Sequence, residues 1–400
     1  MVKVCVIGLG YVGLPICLKI SKYFNTVGFD INKRRIKFLK QGIDKNNEFK
    51  KKDFINKKII FSNNQKNIKN CNFFIICVPT PITKSKKPDL IPVEKSFEII
   101  SRLLKKNDII VLESTVYPGV TKKFIKKLEK KTKLKNNTDF YTCYSPERIN
   151  PGDKKNELIK INKILAYEGK NQNIKEILKI VYSKICKKII FTKKIEEAET
   201  AKGIENIQRD LNIALFNEIL LICRKLNLNF NEVIRLAATK WNFIKFAPGL
   251  VGGHCLPVDP YYLTHIAKKY EYKSKVTLGG RSTNESMKKY VIDFSIKKIH
   301  ENSNNIKKMQ ICLLGLTYKY GVSDTRNSLN LEILENLKKR YNNVCGFDPF
   351  LNVKKFNNLN NLKKKDFYIF LTKGKKFQKI FNKIKNKDKV IDPFSYYSNF

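Results

Sequence analysis

The chain has 400 residues, 42% of them hydrophobic and 29% charged, and its formal net charge is +45. This length suits two or three domains, and no apolar run approaches the ~18 residues of a membrane-spanning helix, so we expect no membrane partner. The first residues form an apolar segment rather than a charged and apolar leader, which leads us to expect a cytoplasmic protein.

Neither the basic residues nor the cysteines indicate a specialised binding role. Only ten of the 80 basic residues are arginine, and the lysines are spread along the whole chain. Nucleic-acid readers favour arginine, so we expect no nucleic-acid partner, although the positive field favours an anionic substrate. The ten cysteines form no CxxC pair and only three histidines are present, so we expect neither a metal site nor disulfides.

Short apolar runs alternate with helical patterns through the first half of the chain, which is typical of a parallel α/β sheet. The predicted strands cover residues 2–7, 26–29, 73–78, 109–113, 140–144 and 188–192. Ligands bind beyond the carboxyl ends of the strands in such sheets. Five of these ends carry small, polar or acidic residues, namely Gly8-Leu9-Gly10, Asp30, Pro79-Thr80-Pro81, Ser114-Thr115 and Ser145-Pro146-Glu147. Their agreement predicts a ligand site at this edge.

A long helix is predicted from about residue 196 to residue 222, because apolar residues recur there at steps of three and four. Lys202, Asn206 and Arg209 lie on one stripe of this helix. Further helices are expected to about residue 300.

The C-terminal part of the chain repeats the pattern of the N-terminal part. Strands are predicted over 309–314, 343–347, 367–371 and 390–391, and a helix over 329–340. The segments KVCVIGLG…VGFDIN and QICLLGLT…VCGFDPF read as two copies of one strand-turn-helix-strand unit. We expect one copy to bind a cofactor and the other a nucleotide-linked substrate. The predicted fold is α/β, with a Rossmann domain (1–195), a helical domain (196–300) and a Rossmann-like domain (301–400).

The first turn carries a dinucleotide fingerprint. Gly8-x-Gly10-x-x-Gly13 follows a strand, and Asp30 ends the next strand 17 residues after Gly13. Such glycines let backbone approach a pyrophosphate at a helix N-terminus, and the acid can accept both ribose hydroxyls, which favours NAD over NADP. The basic residues just after Asp30 weaken that preference, and an ordinary glycine turn is the alternative.

A second candidate site is the loop VGGHCLPVDPYY over residues 251–262. Two glycines precede Cys255 and two prolines come after it, so the cysteine lies on a constrained loop where function concentrates. A cysteine nucleophile beside a nicotinamide site would hold an aldehyde for a second oxidation, which predicts an alcohol-to-acid dehydrogenase. The alternative is one more buried cysteine.

Four further residues have both a functional and a structural interpretation. Lys202 could serve the site or be a solvated helix lysine. Glu147 and Asp259 could order water or lie at the surface, and Arg326 could bind an anion or form a structural ion pair.

Taken together, these segments resemble the nucleotide-sugar dehydrogenase family of UDP-glucose, GDP-mannose and UDP-N-acetylhexosamine 6-dehydrogenases. The motifs that carry the resemblance are IGLGYVGLP, GFDIN, VPTP, ESTVYPGVT, YSPERINPGD, AETAKGIENIQRDLNIALFNE, TKWNFIKFAPGLVGGHCLPVDPYYL, GRSTNESM and DTRNS. The motifs YSPERINPGD and TKWNFIKFAPGLVGGHC are most similar to the UDP-N-acetylgalactosamine and UDP-N-acetylglucosamine branch of the family. This branch makes uronates for surface polysaccharides. The aromatic tail SYYSNF departs from the family pattern.

The resemblance implies an NAD domain, a central helical domain that builds a homodimer, and a C-terminal domain that binds the UDP moiety. The catalytic residues it implies are the nucleophile Cys255, the oxyanion-stabilising pair Lys202 and Asn206, the water-positioning pair Asp259 and Thr115, and Glu147 at thioester hydrolysis. The implied NAD contacts are Tyr11, Val12, Asp30, Arg35, Thr80, Thr115 and Arg326. The implied substrate contacts are Glu147, Arg148, Ile149, Lys202, Asn206, Arg209, Gly252, Tyr318 and Lys319, with Arg281 reaching the neighbouring subunit's sugar site.

The implied reaction converts a UDP-N-acetylhexosamine, two NAD⁺ and water into the uronate and two NADH, through a thiohemiacetal and a thioester on Cys255. UDP-glucose and UDP-N-acetylmannosamine are alternative substrates, since the sugar configuration depends on residues 239–250. A two-electron hydroxyacid dehydrogenase that uses no cysteine is a second alternative, and a dinucleotide- or polyanion-binding protein without turnover is a third.

Overall fold

The computed structural model describes residues 1–55, 58–148, 160–302, 308–351, 353–363 and 365–397. The strands are β1 (Lys3–Ile7), β2 (Asn25–Phe29), β3 (Ile59–Ser62), β4 (Phe73–Ile76), β5 (Ile109–Leu112), β6 (Tyr141–Tyr144), β7 (Asn162–Ala166), β8 (Lys188–Thr192), β9 (Gln310–Leu314), β10 (Asn343–Phe347), β11 (Phe367–Phe370) and β12 (Val390–Ile391). The helices are α1 (Gly13–Ile20), α2 (Lys33–Lys40), α3 (Ile91–Ser101), α4 (Val120–Thr132), α5 (Gln172–Tyr182), α6 (Ile195–Lys225), α7 (Phe230–Ala237), α8 (Asp259–Lys269), α9 (Lys275–Glu301), α10 (Leu329–Lys338) and α11 (Lys375–Lys383). None of the helices in the described ranges is both long and apolar enough to cross a bilayer.

Two compact units make up the chain. The first contains residues 1–205 and 261–273, and the second contains residues 206–260 and 274–400. Helices α6 and α8 contribute residues to both. The predicted domain boundaries at residues 195 and 300 stay a prediction.

The first unit is built on a sheet with the strand order β3-β2-β1-β4-β5-β6-β7-β8. Strands β1 to β6 are parallel, and their order reverses between β1 and β4, as in a Rossmann fold. Strand β7 runs antiparallel to β6 through the pair Tyr144 and Ala166. Strands β4, β5 and β6 are buried along their whole length, and β4 and β5 accordingly read as unbroken apolar runs.

The second unit contains a four-stranded parallel sheet in the order β10-β9-β11-β12. Its core is shared between this sheet and the helices of the central segment. Phe216 and Leu220 of α6, Met287 of α9 and Leu313 of β9 belong to one buried cluster. This shared core joins the predicted central and C-terminal regions into one compact unit.

The two predicted copies of one supersecondary unit are present. Gly8 comes after β1 with φ +90° and donates to the Phe29 carbonyl at 2.8 Å, while Gly315 comes after β9 with φ +89° and donates to the Phe347 carbonyl at 2.9 Å. An aspartate directly follows the second strand of each copy and accepts a hydrogen bond from a backbone N–H of the glycine turn. Asp30 accepts from Leu9 at 2.9 Å, and Asp348 from Leu316 at 2.8 Å. The two sequence copies therefore form glycine turns with equivalent hydrogen bonds.

The aromatic tail packs onto the second unit. The Tyr396 hydroxyl donates to the Pro248 carbonyl at 2.9 Å, and the Tyr397 hydroxyl accepts from the Gly374 N–H at 2.7 Å. The backbone of Gly249 also bonds at both its N–H and its carbonyl to the Asn217 side chain, at 2.8 and 3.0 Å. The segment that leads into the cysteine loop is thus fixed by the tail and by α6.

The sheets confirm the α/β prediction, and every predicted strand is present within two residues of its predicted ends. The long helix begins at Ile195 and ends at Lys225, slightly beyond both of its predicted ends. Two strands, β3 and β7, were not predicted. Strand β3 has only four residues, and β7 carries a lysine and an asparagine that interrupt its apolar pattern.

Candidate active site

The turn after β1 leaves no room for side chains at two of its glycines. A Cβ atom at Gly8 would lie 2.8 Å from the Cys77 carbonyl oxygen, and one at Gly13 would lie 1.8 Å from the Gly8 carbonyl oxygen. A Cβ at Gly10 would meet nothing within 4 Å. Gly8 and Gly13 therefore let α1 pack tightly on the turn, and Gly10 leaves open space in front of bare backbone.

Asp30 and Arg35 stand beside this turn. The half-buried Asp30 carboxylate accepts from the N–H groups of Leu9 and Asn32, at 2.9 and 2.8 Å. Arg35 donates from Nε to the Leu9 carbonyl at 3.0 Å and pairs with Asp44 at 2.8 Å. Its Nη2 is buried without a hydrogen-bond partner in the described part of the chain.

This turn fits a dinucleotide. It offers open space at Gly10, the N-terminus of α1, a carboxylate at the end of β2 and a buried donor on Arg35. The Asp44 carboxylate already neutralises Arg35, which makes this cation a poor partner for a 2′-phosphate. Tyr11 and Val12, both half-buried, lie in the turn that leads into α1.

The predicted residues at the next strand ends share one edge of the sheet, because β4, β5 and β6 are adjacent and parallel. Thr80 and Thr115 are half-buried, and the Thr80 carbonyl accepts from the Tyr262 hydroxyl at 2.9 Å. Glu147 comes shortly after β6 and is buried.

Glu147 belongs to a buried charge cluster, defined here as Glu113, Glu147, Lys163 and Tyr182. The Lys163 ammonium contacts the Glu113 carboxylate and lies 3.2 Å from Glu147, and Tyr182 donates to Glu113 at 2.6 Å. Burial raises the pKa of Glu113 to about 7. Burial alone would lower the pKa of Lys163, but the two carboxylates raise it above its usual value. Sequence analysis missed this cluster, because Lys163 is one of many lysines and lies on the unpredicted strand β7.

Lys202 lies on α6 and is buried, with 8% of its surface exposed. No carboxylate of the described residues lies within ion-pair distance of its ammonium group. The solvated-lysine interpretation is therefore wrong. Arg148 pairs with Glu205 at 2.5 Å, and Ile149 lies outside the described residues.

In the second unit, Cys255 lies one turn before α8. It is exposed, whereas eight of the other nine cysteines are buried and Cys345 is half-buried. Two hydrogen bonds join the loop to Asn327. The Gly253 N–H donates to the Asn327 carbonyl at 3.3 Å, and the Asn327 side-chain amide donates to the Gly253 carbonyl at 3.2 Å. A Cβ at Gly253 would also lie 2.8 Å from the Tyr318 ring, and the residue has φ +88°, so a side chain is excluded.

Asn206 and Asp259 meet in this unit. The Asn206 amide donates to the Asp259 carboxylate, which is buried at the first residue of α8. Arg209 is exposed on α6, and Tyr318 and Lys319 are half-buried after β9. Gly252 has no room for a side chain, because a Cβ would lie 2.7 Å from the Asn327 carbonyl oxygen.

Two predicted arginines form ion pairs within the chain. Arg281 is buried and lies 2.7 Å from Asp210. Arg326 is half-exposed and pairs with Asp324 at 2.8 Å. Burial alone would raise the pKa of Asp324, but hydrogen bonds from His254 and Arg326 lower it well below its usual value. The ion-pair interpretation of Arg326 is therefore confirmed, and its role toward a cofactor stays a prediction.

Comparison with known proteins shows which family the chain resembles. Residues 2–186, 196–286 and 312–399 match the NAD binding, central and UDP binding domains of the UDP-glucose/GDP-mannose dehydrogenase family. The chain is 44% identical to UDP-N-acetyl-D-glucosamine 6-dehydrogenase of Salmonella typhi, over 88% of this chain and 83% of that one. It is 36% identical to UDP-N-acetyl-D-mannosamine dehydrogenase of Methanocaldococcus jannaschii, over 82% of this chain and 74% of that one.

A solved structure of UDP-D-ManNAc dehydrogenase from Pyrococcus horikoshii has the same fold, with a TM-score of 0.86 at 29% identity over 98% of this chain and 94% of that one. The glycine turn with its aspartate, the exposed cysteine loop and three consecutive family domains all agree. The chain therefore belongs to the UDP-glucose/GDP-mannose dehydrogenase family and is an NAD-dependent oxidoreductase.

Proposed function

We propose that the chain oxidises the C6 alcohol of a UDP-N-acetylhexosamine, with N-acetylglucosamine or N-acetylgalactosamine as the sugar, to the uronate. The observation that carries the proposal is the exposure of Cys255, alone among ten cysteines that all lie in the described part of the chain. An exposed thiol on a rigid loop can hold an aldehyde covalently, which a two-electron dehydrogenase does not require. The higher identity to the N-acetylglucosamine relative favours the sugar class.

The chain's own residues then have distinct roles. NAD, when bound, accepts a hydride in each of the two oxidation steps. The Cys255 thiolate adds to the C6 aldehyde, and the resulting thiohemiacetal is oxidised to a thioester. Lys202 and Asn206 stabilise the negative charge on the C6 oxygen, and one such donor is typically worth ~3–4 kcal/mol. The burial of Lys202 without an ionic partner among the described residues supports this role, because its charge is available to an oxyanion.

Hydrolysis of the thioester completes the reaction. A water oxygen bonds to the C6 carbonyl carbon, the C–S bond breaks, Cys255 leaves as a thiolate and Glu147 accepts the proton that water releases. We assign Asp259 and Thr115 to the positioning of this water. The hydrogen bond from Asn206 to Asp259 supports this assignment, because it holds Asp259 beside a residue of the oxyanion-stabilising pair.

We extend the proposal to the remaining predicted contacts. NAD would contact Tyr11, Val12, Asp30, Arg35, Thr80, Thr115 and Arg326. The substrate would contact Arg148, Ile149, Arg209, Gly252, Tyr318 and Lys319.

We also propose a cytoplasmic homodimer that supplies uronates for surface polysaccharides, with domain boundaries near residues 195 and 300. Exposed apolar side chains of the central segment, such as Leu215, Trp241 and Ile244, support a self-association surface. Arg281 would have to leave Asp210 to reach the neighbouring subunit's sugar.

The test is a panel of UDP-sugars and GDP-mannose with NAD⁺, in which NADH is measured by absorbance. We expect turnover with UDP-GlcNAc or UDP-GalNAc and two NADH for each sugar consumed. A yield of one NADH would exclude the four-electron reaction. A preference for UDP-ManNAc would favour a second candidate function, that of a UDP-N-acetylmannosamine dehydrogenase. The structural similarity to the Pyrococcus horikoshii protein supports this candidate.

A further inference from the structure

The buried charge cluster holds more ionisable groups than the proposed reaction uses. Lys163 and Glu113 have fully buried side chains, and the Glu147 side chain is 8% exposed. The other titratable groups that face the cluster are Tyr182 of α5, the Cys77 and Cys143 thiols and, beside Lys163, Cys186. The Lys163 ammonium thus contacts two carboxylates at a buried position, and one of them, Glu147, keeps a small exposed surface.

A buried cation that contacts two carboxylates fixes the direction in which each of them points. Removal of the ammonium group would take a charge-assisted hydrogen bond away from both Glu113 and Glu147, so neither carboxylate would keep its orientation. A general base has to lie within hydrogen-bond reach of the water whose proton it accepts. The Lys163 ammonium also donates to the Pro146 carbonyl at 3.3 Å, so its orientation is fixed by the loop that carries Glu147.

We propose that Lys163 is a positioning residue for the hydrolytic step, which holds Glu147 as an oriented carboxylate while Glu113 balances the charge. The proposal rests on the proposed function. When Glu147 accepts the proton from water, an ionised Glu113 still compensates the Lys163 charge. While Glu113 is protonated it holds the Lys163 ammonium less firmly, so the contact that orients Glu147 loosens. Loss of the Glu113 proton therefore speeds hydrolysis.

The decisive variant is Lys163→Met, studied by stopped-flow measurement of NADH. We expect a burst of two NADH per active site and then steady-state turnover about 100-fold below the wild type, the usual size of a general-base contribution. Lys122→Met is the matched control, because Lys122 also bridges two carboxylates, Glu168 and Glu196, but is partly exposed. We expect this control to turn over like the wild type.

Three outcomes would overturn the proposal: wild-type turnover of Lys163→Met, a slow variant without a burst, or an equal loss in Lys122→Met. If Lys163→Met does not fold, Glu113→Gln decides. This variant keeps an acceptor for Lys163, and we expect it to lose a rise in the hydrolytic rate near pH 7 that the wild type shows. An unchanged pH profile would contradict the role of the cluster. A wild-type yield of one NADH per sugar would instead overturn the proposed function, and this proposal with it, before any variant is made.

Discussion

At position 255 a thiol stands exposed at the turn before α8, and the chemistry of sulfur determines how this residue can react. A thiolate is a far stronger nucleophile near neutral pH than a serine hydroxyl, which is almost entirely protonated there. The nearby glycine turn and Asn327 hold the backbone of this loop whichever residue stands at 255. Substitution of this residue therefore changes the reactive atom while the contacts between Gly253 and Asn327 stay in place.

We predict that Cys255→Ser lowers steady-state turnover to the acid by at least about 100-fold, with release of aldehyde or accumulation of a slowly hydrolysed ester. Product analysis together with NADH yield measures this. Cys345→Ser is the control, since this half-buried cysteine lies on β10 in the same unit. A Cys255→Ser enzyme with wild-type turnover would refute the nucleophile.

The residues that sequence analysis identified share a local signature. Gly8, Asp30 and Cys255 each stand at a turn or strand end whose spacing is visible in the sequence. Lys163 has no such signature, because a lysine inside a strand cannot be distinguished from a solvated one until the fold buries it beside Glu113. The one signal in the sequence was the acidic pair at the ends of two adjacent strands, Glu113 and Glu147. Two carboxylates at one buried edge require a cation.

At the scale of elements, Glu199 joins the start of α6 to the start of α4. Its buried carboxylate accepts from the Gly119 and Thr121 N–H groups at 2.6 and 2.9 Å, and from the Thr121 hydroxyl at 2.6 Å. Burial raises the pKa of Glu199 to about 7, despite these donors. The folded chain therefore binds a proton here between the ordinary carboxyl value of 4.5 and about 7, where the unfolded chain has lost it.

A raised carboxyl pKa makes stability fall as pH rises, since the unfolded state binds fewer protons in that window. We predict that Glu199→Gln flattens this fall between about pH 4.5 and 7 by up to about 1.4 kcal/mol per pH unit. Melting temperatures measured across this range, for the wild type and the variant, test the prediction. Glu98→Gln, at an exposed position of α3, is the control. If the melting temperatures of the wild type and Glu199→Gln changed with pH in the same way, the prediction would be contradicted.

Sequence analysis predicted the helices and strands whose apolar residues recur at a clear spacing, and it missed strands that lack such a spacing. Strand β7 was missed because its pairing partner β8 and its antiparallel neighbour β6 determine it, rather than its own residues. The sequence showed the aromatic tail only as a departure from the family pattern. The structure instead shows its hydroxyls bonded to backbone at Pro248 and Gly374, long-range contacts that no local pattern reveals.

At the scale of the whole molecule, the net charge of +45 is the dominant electrostatic fact. A UDP-sugar carries two negative charges on its diphosphate, so the summed field should raise its local concentration at the protein. Salt screens this attraction, because the Debye length falls from ~30 Å at 0.01 M to ~10 Å at 0.1 M.

We predict that KM for the UDP-sugar rises several-fold between about 0.01 and 0.3 M salt, while kcat changes little. The KM for NAD⁺, which carries less net negative charge, should rise less. Initial-rate measurements over a salt series test both trends. If both KM values depended equally on salt, or did not depend on it, the lysines would not attract the UDP-sugar and would serve only as solvated surface residues.

The hydrogen bond from Tyr396 to the Pro248 carbonyl also sets an order of events during biosynthesis. On the ribosome, the segment that leads into the Cys255 loop emerges long before the tyrosine whose hydroxyl bonds to it. Until Tyr396 leaves the exit tunnel, that segment has its contacts with Asn217 but lacks this second anchor. The loop that carries Cys255 therefore gains its last long-range support late, after residues almost 150 positions further along the chain have been made.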